Sequence, residues 1–452
     1  MRIALGIPLP FTVLNKYCNA FSKKVYDSYF THIVSDSREA RCGDLFFSLS
    51  KDISAAEHIS EAKSKGAKTV SSIPCDADFL VDDCETALLK LASFYKTCLK
   101  SLSTTIAITG SVGKTTTKEF CYSFFEKLFK THKTYKNYNN ALGVAFSLLT
   151  APHDTEILIL ELGMNALGEI KALSDAVKPD YAVITNIANA HIGKLGSLEL
   201  IAKAKLEISS GMKDEKIIAP YEEALLSSAK FKFSLSNRGA EYYFDTANNK
   251  CTLYHNSKKI IDFSTKYKAK HHLNAQLISL ILGHLLKISE EKMQLGIKNC
   301  ENISLRQKII NLKSFSLFDD TYSSSPEAVQ ADIEYLKLEY PHRPFSLALG
   351  DMLELGYKTS ELHEEIGKLA YLAGARKLYA FGAYAYLICN GAKSAGMSNE
   401  EISVYTDTNY YDILAKEIYK KSKPGEIVLI KASHALHSEK ITEEIERLDK
   451  EC

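Results

Sequence analysis

Residues 107–120, AITGSVGKTTTKEF, constrain this chain more than any other stretch. An apolar run, TIAITGS, reaches Gly110; Gly113, Lys114 and Thr115 follow, and an amphipathic segment opens directly behind them. A strand, a glycine turn and a helix N-terminus in that order make an anion site. Backbone N–H groups and the helix dipole face the ligand, and the lysine adds a charge. The loop is short: the longer pattern G-x-x-x-x-G-K-[ST] needs a glycine at position 108, where Ile108 stands. A plain structural turn would not require Gly-Lys-Thr at this junction. The loop therefore reads as a nucleotide site, with Thr115 placed to reach a Mg²⁺ ion.

The flanking pattern fits an open α/β sheet. EILILELG and YAVITNI are continuous apolar runs, as expected of parallel strands buried on both faces. Behind the loop, Phe120, Phe124, Phe125, Leu128 and Phe129 share one helical face. Residues 241–263 read as a β-hairpin region, and LNAQLISLILGHLLK as a helix closing this unit near residue 300. Upstream, GDLFFSLS (43–50) reads as a strand, and AAEHISEAKSKGAKTV as a helix stopped at Gly66 and a following strand. DDCETALLKLASFYKTCLK is a long helix leading to a polar joint, SLSTT (101–105). In the last third, SFSLFDD, PFSLALGD, RKLYAFG and GEIVLIKA alternate with helical segments, which predicts a second open α/β sheet.

Composition narrows the function classes. A chain of 452 residues suggests about three domains. The net charge is +1, so no global basic field recruits nucleic acid or anionic lipid, and a polyanionic substrate needs a local pocket. The N-terminal run superficially resembles a signal peptide, but Pro8 and Pro10 interrupt it and no A-x-A site follows. LISLILGHLL (277–286) is too short to span a bilayer. The ten cysteines show neither C-x-x-C pairs nor zinc spacing. The expectation is a cytoplasmic protein.

Two further strand ends add candidates. Glu161 ends EILILELG, and His191 follows YAVITNIANAH; ligand sites of open α/β sheets gather at such ends. The carboxylate suits Mg²⁺, and the histidine is a less usual ligand for so hard a cation. SLELIAKAKLEISSGM (197–212) reads as a helix carrying Lys203, Lys205 and Glu207.

With those residues in view, the chain resembles the Mur ligases. TGSVGKTTTKE, YNNALGVAFSLL, the 161–208 block, FDDTYSSSPEAV, LALGDMLELG and IKASHALHSEK occur in that family's order, from about residue 34 to 440. The short loop G-x-x-G-K-[ST] is the family's own. The resemblance is greatest to the type that adds D-Ala-D-Ala to UDP-MurNAc-tripeptide. It implies an α/β fold of three domains: a UDP-sugar-peptide domain (1–102), a central phosphate-loop ATPase with a parallel sheet (103–300) and a C-terminal Rossmann-like ligase domain (301–452). It implies ATP and Mg²⁺ as cofactors, an acyl phosphate made on the tripeptide carboxylate, and attack by the dipeptide amine, as the last cytoplasmic step of peptidoglycan precursor synthesis. The further expectation is a monomer, with no nucleic acid partner and no membrane insertion.

Carried over by position, Gly110, Ser111, Val112, Gly113, Lys114, Thr115 and Thr116 hold the ATP phosphates. Thr115, Glu161, His191 and Lys205 hold the metal, Lys205 as a carbamate. Lys114, Lys205, His191 and Arg306 are the catalytic set, Arg306 lying near the phosphates. Asp320 and Tyr322 contact nucleotide from the third domain; Asn139, Asn140, Ser37 and Arg38 contact substrate. The chain departs from the pattern in places: D-[ST]-Y-N-A-N-P reads DTYSSSP, with Ser323 and Ser325 for both asparagines, and K-G-S-R reads KASH, with Ala432 and His434 for Gly and Arg. G-[RK]-H-N-x-x-N reads AKHHLNA, and AAEH replaces D-G-H. A histidine is no substitute for a bidentate guanidinium. Rival readings are the preceding amino-acid-adding Mur ligase, whose D-N-P-R motif is absent, folylpolyglutamate synthetase, a phosphate-loop hydrolase or switch, and a homologue that binds precursor without catalysis.

Overall fold

The strands of the computed structural model, which describes residues 1–22, 24–247, 250–300, 308–407 and 409–451, assort into three sheets in chain order. The first sheet runs β1 (Arg2–Pro10), β2 (Tyr29–Val34), β3 (Leu45–Phe47), β4 (Lys68–Ser71), β5 (Phe79–Leu80). Only β1 is antiparallel. The N-terminal apolar run is thus an edge strand, where Pro8 and Pro10 remove no ladder bond from a central position. Helices α1 (Thr12–Tyr17), α2 (Ser54–Ser64) and α3 (Cys84–Cys98) accompany it. Gly66, at φ +84°, turns the chain from α2 into β4, as the sequence suggests. Asp83 caps α3 by accepting from the Thr86 amide at 2.8 Å.

The central sheet holds β6 (Thr104–Thr109), β7 (Thr131–Lys133), β8 (Ile157–Glu161), β9 (Tyr181–Ile184), β10 (Ile217–Pro220), β11 (Phe231–Ser234), β12 (Tyr242–Ala247), β13 (Lys250–His255) and β14 (Lys258–Ser264). Its order is β14-β13-β12-β11-β10-β9-β6-β8-β7, parallel from β7 to β12. Its helices are α4 (Lys114–Phe125), α5 (Ala141–Leu149), α6 (Glu169–Val177), α7 (Ile192–Leu195), α8 (Leu198–Leu206), α9 (Lys270–Leu285) and α10 (Glu290–Asn299). Three readings shift here. Thr104 and Thr105 belong to β6, since β-branched residues fit a strand, which shortens the joint. Leu128 and Phe129 lie beyond the end of α4, yet still pack on the core with Phe120 and Phe124. The hairpin region is a three-stranded meander, its second turn made by Asn256 and Ser257, both at positive φ, the pairing a tight hairpin requires.

Helix α3 packs on α5, and one apolar core runs from the first sheet into the central one. The buried Tyr95 hydroxyl donates to the Ala151 carbonyl at 2.6 Å across that junction.

The third sheet contains β15 (Lys308–Asn311), β16 (Ser316–Asp319), β17 (Phe345–Gly350), β18 (Leu378–Phe381), β19 (Ile402–Tyr405) and β20 (Ile427–Lys431), in the order β15-β16-β20-β17-β18-β19. Only the edge strand β15 is antiparallel. Around it lie α11 (Pro326–Glu339), α12 (Thr359–Leu372), α13 (Ala385–Ala395), α14 (Tyr411–Lys421) and α15 (Glu439–Glu451). The sequence reading misses β15 and β19: both are edges and half-exposed, so neither forms a continuous apolar run. The carboxyl ends of β9, β6 and β8 and those of β16, β20 and β17 border one cavity of about 530 Å³. Among the described residues, no helix is long and apolar enough to cross a membrane.

Candidate active site

The glycine loop lies at the end of β6, between its neighbours β8 and β9. Gly110 has φ +147°, and a Cβ there would coincide with the Thr185 hydroxyl, which donates to the Val112 carbonyl at 2.6 Å. Gly113, at φ +82°, is the N-cap of α4, and no side chain caps that helix. Its first turn therefore offers N–H groups and the positive end of the dipole to the cavity. The Ser111 and Val112 amides donate instead to Asn186 Oδ1, at 3.1 and 2.9 Å. Lys114 folds over the loop, its Nζ donating to the Gly110 and Ser111 carbonyls at 2.8 and 3.0 Å. Ser111, Val112, Gly113, Lys114, Thr115 and Thr116 all line the cavity.

Glu161, buried at the end of β8, accepts from Thr115 Oγ1 at 2.8 Å and from Asn139 Nδ2 at 2.7 Å. Lys118 Nζ stands 3.8 Å from the same carboxylate. It is fully buried, pairs with Glu119 at 3.1 Å and donates to the Thr134 carbonyl at 3.0 Å. Burial lowers its pKa, while Glu161 and Glu119 work to keep the charge. Among the described residues no cluster of three His, Cys, Asp or Glu side chains encloses a metal. Mg²⁺ takes one or two carboxylates, waters and substrate phosphates rather than an all-protein cage. The Thr115 hydroxyl and the Glu161 carboxylate are the oxygen donors such an ion needs, and His191 lines the same cavity.

His191 follows β9 in the left-handed region, φ +67°. Its Nδ1 lies 2.6 Å from Glu354 Oε2, and Lys194 Nζ holds the other oxygen at 2.5 Å. Burial, then the Lys114 charge, keep the imidazole below its ordinary pKa, against the pull of Glu354. Lys205, on α8, is 1% exposed, and its side chain has no hydrogen bond or ion pair among the described residues. Burial and the nearby Lys114 charge hold its pKa well below that of an ordinary lysine. It lies outside the cavity lining, whereas Lys203 is exposed to solvent. Glu207 accepts from the Gly168 and Lys171 amides and so serves the N-terminus of α6.

The third domain supplies the opposite wall. Asp320 is held by the buried Lys431, which also reaches Asp332 Oδ2 at 3.0 Å. Burial, followed by Asp320, pushes the Asp332 carboxyl up, against the attraction of Lys431. Tyr322 accepts from Asn137 of the central domain and stacks on His434, ring centres 5.1 Å apart. Ser323 and Ser324 line the cavity. Ser325 is the N-cap of α11, its hydroxyl accepting from the Ala328 amide at 3.2 Å. Glu327 accepts from the Asn189 amide and side chain at 2.9 and 2.8 Å, a further link between the domains.

Three expected residues lie away from the cavity lining. Asn140 caps α5 through the Gly143 amide at 2.9 Å and does not line the cavity. Ser37 donates to Glu61 at 2.5 Å, and Arg38 pairs with Asp36 while 81% exposed; both lie on the first domain, away from the cavity lining. Arg306 lies outside the described residues. The sequence reading missed Asn186, Asn137, Lys118, Lys431 and Glu354. Asn186 had a signal, since it follows β9 in the same strand-end position used for His191.

A glycine loop at the end of an inner strand of a mostly parallel sheet, facing a second α/β sheet across a cavity, defines a nucleotide-dependent enzyme that works between two domains. The comparisons identify the class more closely. Residues 108–297 match the Mur ligase middle domain and residues 306–434 the Mur ligase, glutamate ligase domain. The UDP-N-acetylmuramoyl-tripeptide--D-alanyl-D-alanine ligase of Bacillus subtilis (strain 168) is 32% identical over 377 residues, 82% of this chain and 81% of the relative. The enzyme of the same name from Rickettsia prowazekii (strain Madrid E) is 31% identical over 472 aligned residues, 98% of each chain. The crystal structure of a MurF ligase from Thermotoga maritima in complex with ADP superposes with a TM-score of 0.75 at 28% identity, covering 93% of this chain and 98% of the other. An Acinetobacter baumannii MurF structure, at 24% identity, shares the fold with a TM-score of 0.85 over 98% and 100%. The chain belongs to the Mur ligase family, and it is an ATP-dependent ligase of three α/β domains.

Proposed function

We propose that this ligase joins D-Ala-D-Ala to UDP-MurNAc-tripeptide, completing the cytoplasmic peptidoglycan precursor. The observation that carries the reading is the relatives of that name, aligned over most of the chain, together with a cavity that combines the loop, Glu161 and His191. A carboxylate has no leaving group, so ATP first transfers its γ-phosphoryl to the tripeptide carboxylate, leaving ADP. The dipeptide amine then attacks the acyl carbon; the C–N bond forms, phosphate departs, and the amine gives up a proton. The first turn of α4 and Lys114 hold the phosphates and offset the charge on the transferring group. Thr115, Glu161 and His191 would hold Mg²⁺, with Lys205, as a carbamate, supporting them; such an ion would neutralise phosphate charge. Asp320 and Tyr322 approach the nucleotide from the third domain, and Asn139 holds Glu161 in place beside the substrate junction. Ser37 and Arg38 mark the uridine-nucleotide end. Domain boundaries at residues 102/103 and 300/301, a monomeric state and a cytoplasmic location complete the proposal.

The test is phosphate release from ATP with UDP-MurNAc-tripeptide, with and without D-Ala-D-Ala. Release that needs both substrates supports the reading. Release at the same rate without the dipeptide would mark a hydrolase instead.

A further inference from the structure

The contact between Glu354 and His191 joins residues 163 positions apart, one in each domain. Glu354 directly follows the β17 strand-end turn, and like His191 it holds a left-handed backbone, φ +67° for both. Non-glycine residues rarely adopt that conformation unless surrounding contacts require it. Here the contacts are dense. The Gly193 amide donates to the Glu354 carbonyl at 2.8 Å, and Lys194 Nζ meets Glu354 Oε1 at 2.5 Å. Gly193 and Gly356 abut so closely that a Cβ on either would strike the other's backbone. The domains thus meet at a fitted clasp whose one carboxylate grips the imidazole.

A carboxylate at this spacing only accepts, so Nδ1 carries the hydrogen. Nε2 makes no hydrogen bond among the described residues, and the ring lines the cavity that holds the loop and Glu161. Metal-binding histidines commonly have this arrangement: the nitrogen not bound to metal donates to a carboxylate, which fixes tautomer and ring orientation. We propose that Glu354 is a positioning residue: by gripping His191 Nδ1 from the C-terminal domain, it completes the metal site only when the two domains are closed. The inference rests on the ligase reading above, and it makes domain closure and metal affinity one event. Lys194 is then an auxiliary: it steadies Glu354 without orienting the ring.

The test uses the full chain with ADP and Mn²⁺, whose binding is read by electron paramagnetic resonance. Glu354→Ala should bind Mn²⁺ about 10- to 100-fold more weakly, the usual cost of losing such a partner. Glu354→Gln should recover most of that loss, since its amide oxygen still accepts from Nδ1. Lys194→Ala should bind Mn²⁺ like the parent, and all variants should bind ADP equally without metal. Parent-like Mn²⁺ affinity in Glu354→Ala overturns the proposal, as does an equal loss in Lys194→Ala, which would reduce the contact to a plain latch. If Glu354→Ala does not fold, Glu354→Asp, with its carboxylate drawn back by one methylene, takes its place with the same two outcomes. Dipeptide-dependent phosphate release by the parent is measured alongside. When that dependence holds and Mn²⁺ binding is unmoved, the inference fails and the ligase reading stands; when the dependence is absent, the reading itself fails.

Discussion

Thr115 Oγ1 donates to Glu161 Oε2 at 2.8 Å, tying the first turn of α4 to the end of β8. Strands β6 and β8 are neighbours, so the loop leaving one and the carboxylate ending the other arrive together. Two oxygen donors 46 positions apart in sequence are thereby set side by side where phosphates would meet a cation. Each keeps lone pairs for an ion: the hydroxyl has two, and Asn139 holds only the other carboxylate oxygen.

The pairing predicts the behaviour of Thr115→Val, which keeps the shape and removes the hydroxyl. ADP affinity without metal should stay within a few-fold of the parent, and the gain on adding Mg²⁺ should shrink at least about 10-fold, because one direct donor is lost. Calorimetric titration of ADP with and without Mg²⁺ reads both. An unchanged Mg²⁺ gain would take Thr115 out of the metal site.

Lys114→Ala should lower ligation by about 100-fold or more, the range seen when one preorganised charge donor is removed from a transferring group. The lysine also bonds the Gly110 and Ser111 carbonyls, so the loop itself should loosen. Circular dichroism should remain that of the parent, since the helix and sheet cores do not involve this side chain. Near-normal turnover would remove the loop from the mechanism.

What the sequence disclosed and what it hid divide along separation in the chain. The loop and the strand ends at Glu161 and His191 rest on short segments whose chemistry and spacing are local, while the choice of Lys205 over Lys203 rests on the family resemblance. Glu354, Asn137 and Glu327 matter through partners 138 to 185 positions away, which no local pattern can report. Ser325 shows the complementary case: beside the family pattern it is a lost asparagine, yet in the fold its hydroxyl opens α11. Asn140 is similar, since a residue type suited to a ligand is equally suited to a cap. The fold was the more legible part because buried parallel strands such as β8 and β20 write continuous apolar runs, which edge strands such as β15 and β19 do not.

Tyr95→Phe tests the junction between the first two domains. The buried hydroxyl donates to the Ala151 carbonyl, and its removal leaves that acceptor short of a partner in an apolar core. A loss of about 1–3 kcal/mol is expected in denaturant unfolding monitored by circular dichroism. A variant as stable as the parent would show that this bond contributes nothing to the packing of α3 on α5.

Lys205 should carry a carbamate when CO₂ is present. Only the neutral amine attacks CO₂, and an exposed lysine, with a pKa of about 10.4, is almost wholly protonated at pH 7. Burial and the Lys114 charge both disfavour the ammonium here, so the neutral fraction at pH 7 exceeds that of an ordinary solvated lysine. The sign follows: modification should persist at neutral pH and fall away on acidification, as protonation of the amine competes with CO₂. With ¹³C-labelled bicarbonate, a carbamate resonance should appear in the parent and in Lys203→Ala, and vanish in Lys205→Ala. Ligation by Lys205→Ala should drop and partly recover with added short-chain carboxylates, which supply the missing oxygens to the vacated space. A resonance that survives Lys205→Ala but disappears in Lys203→Ala would move the modification to the exposed lysine. Full activity in both variants would show that neither lysine is needed.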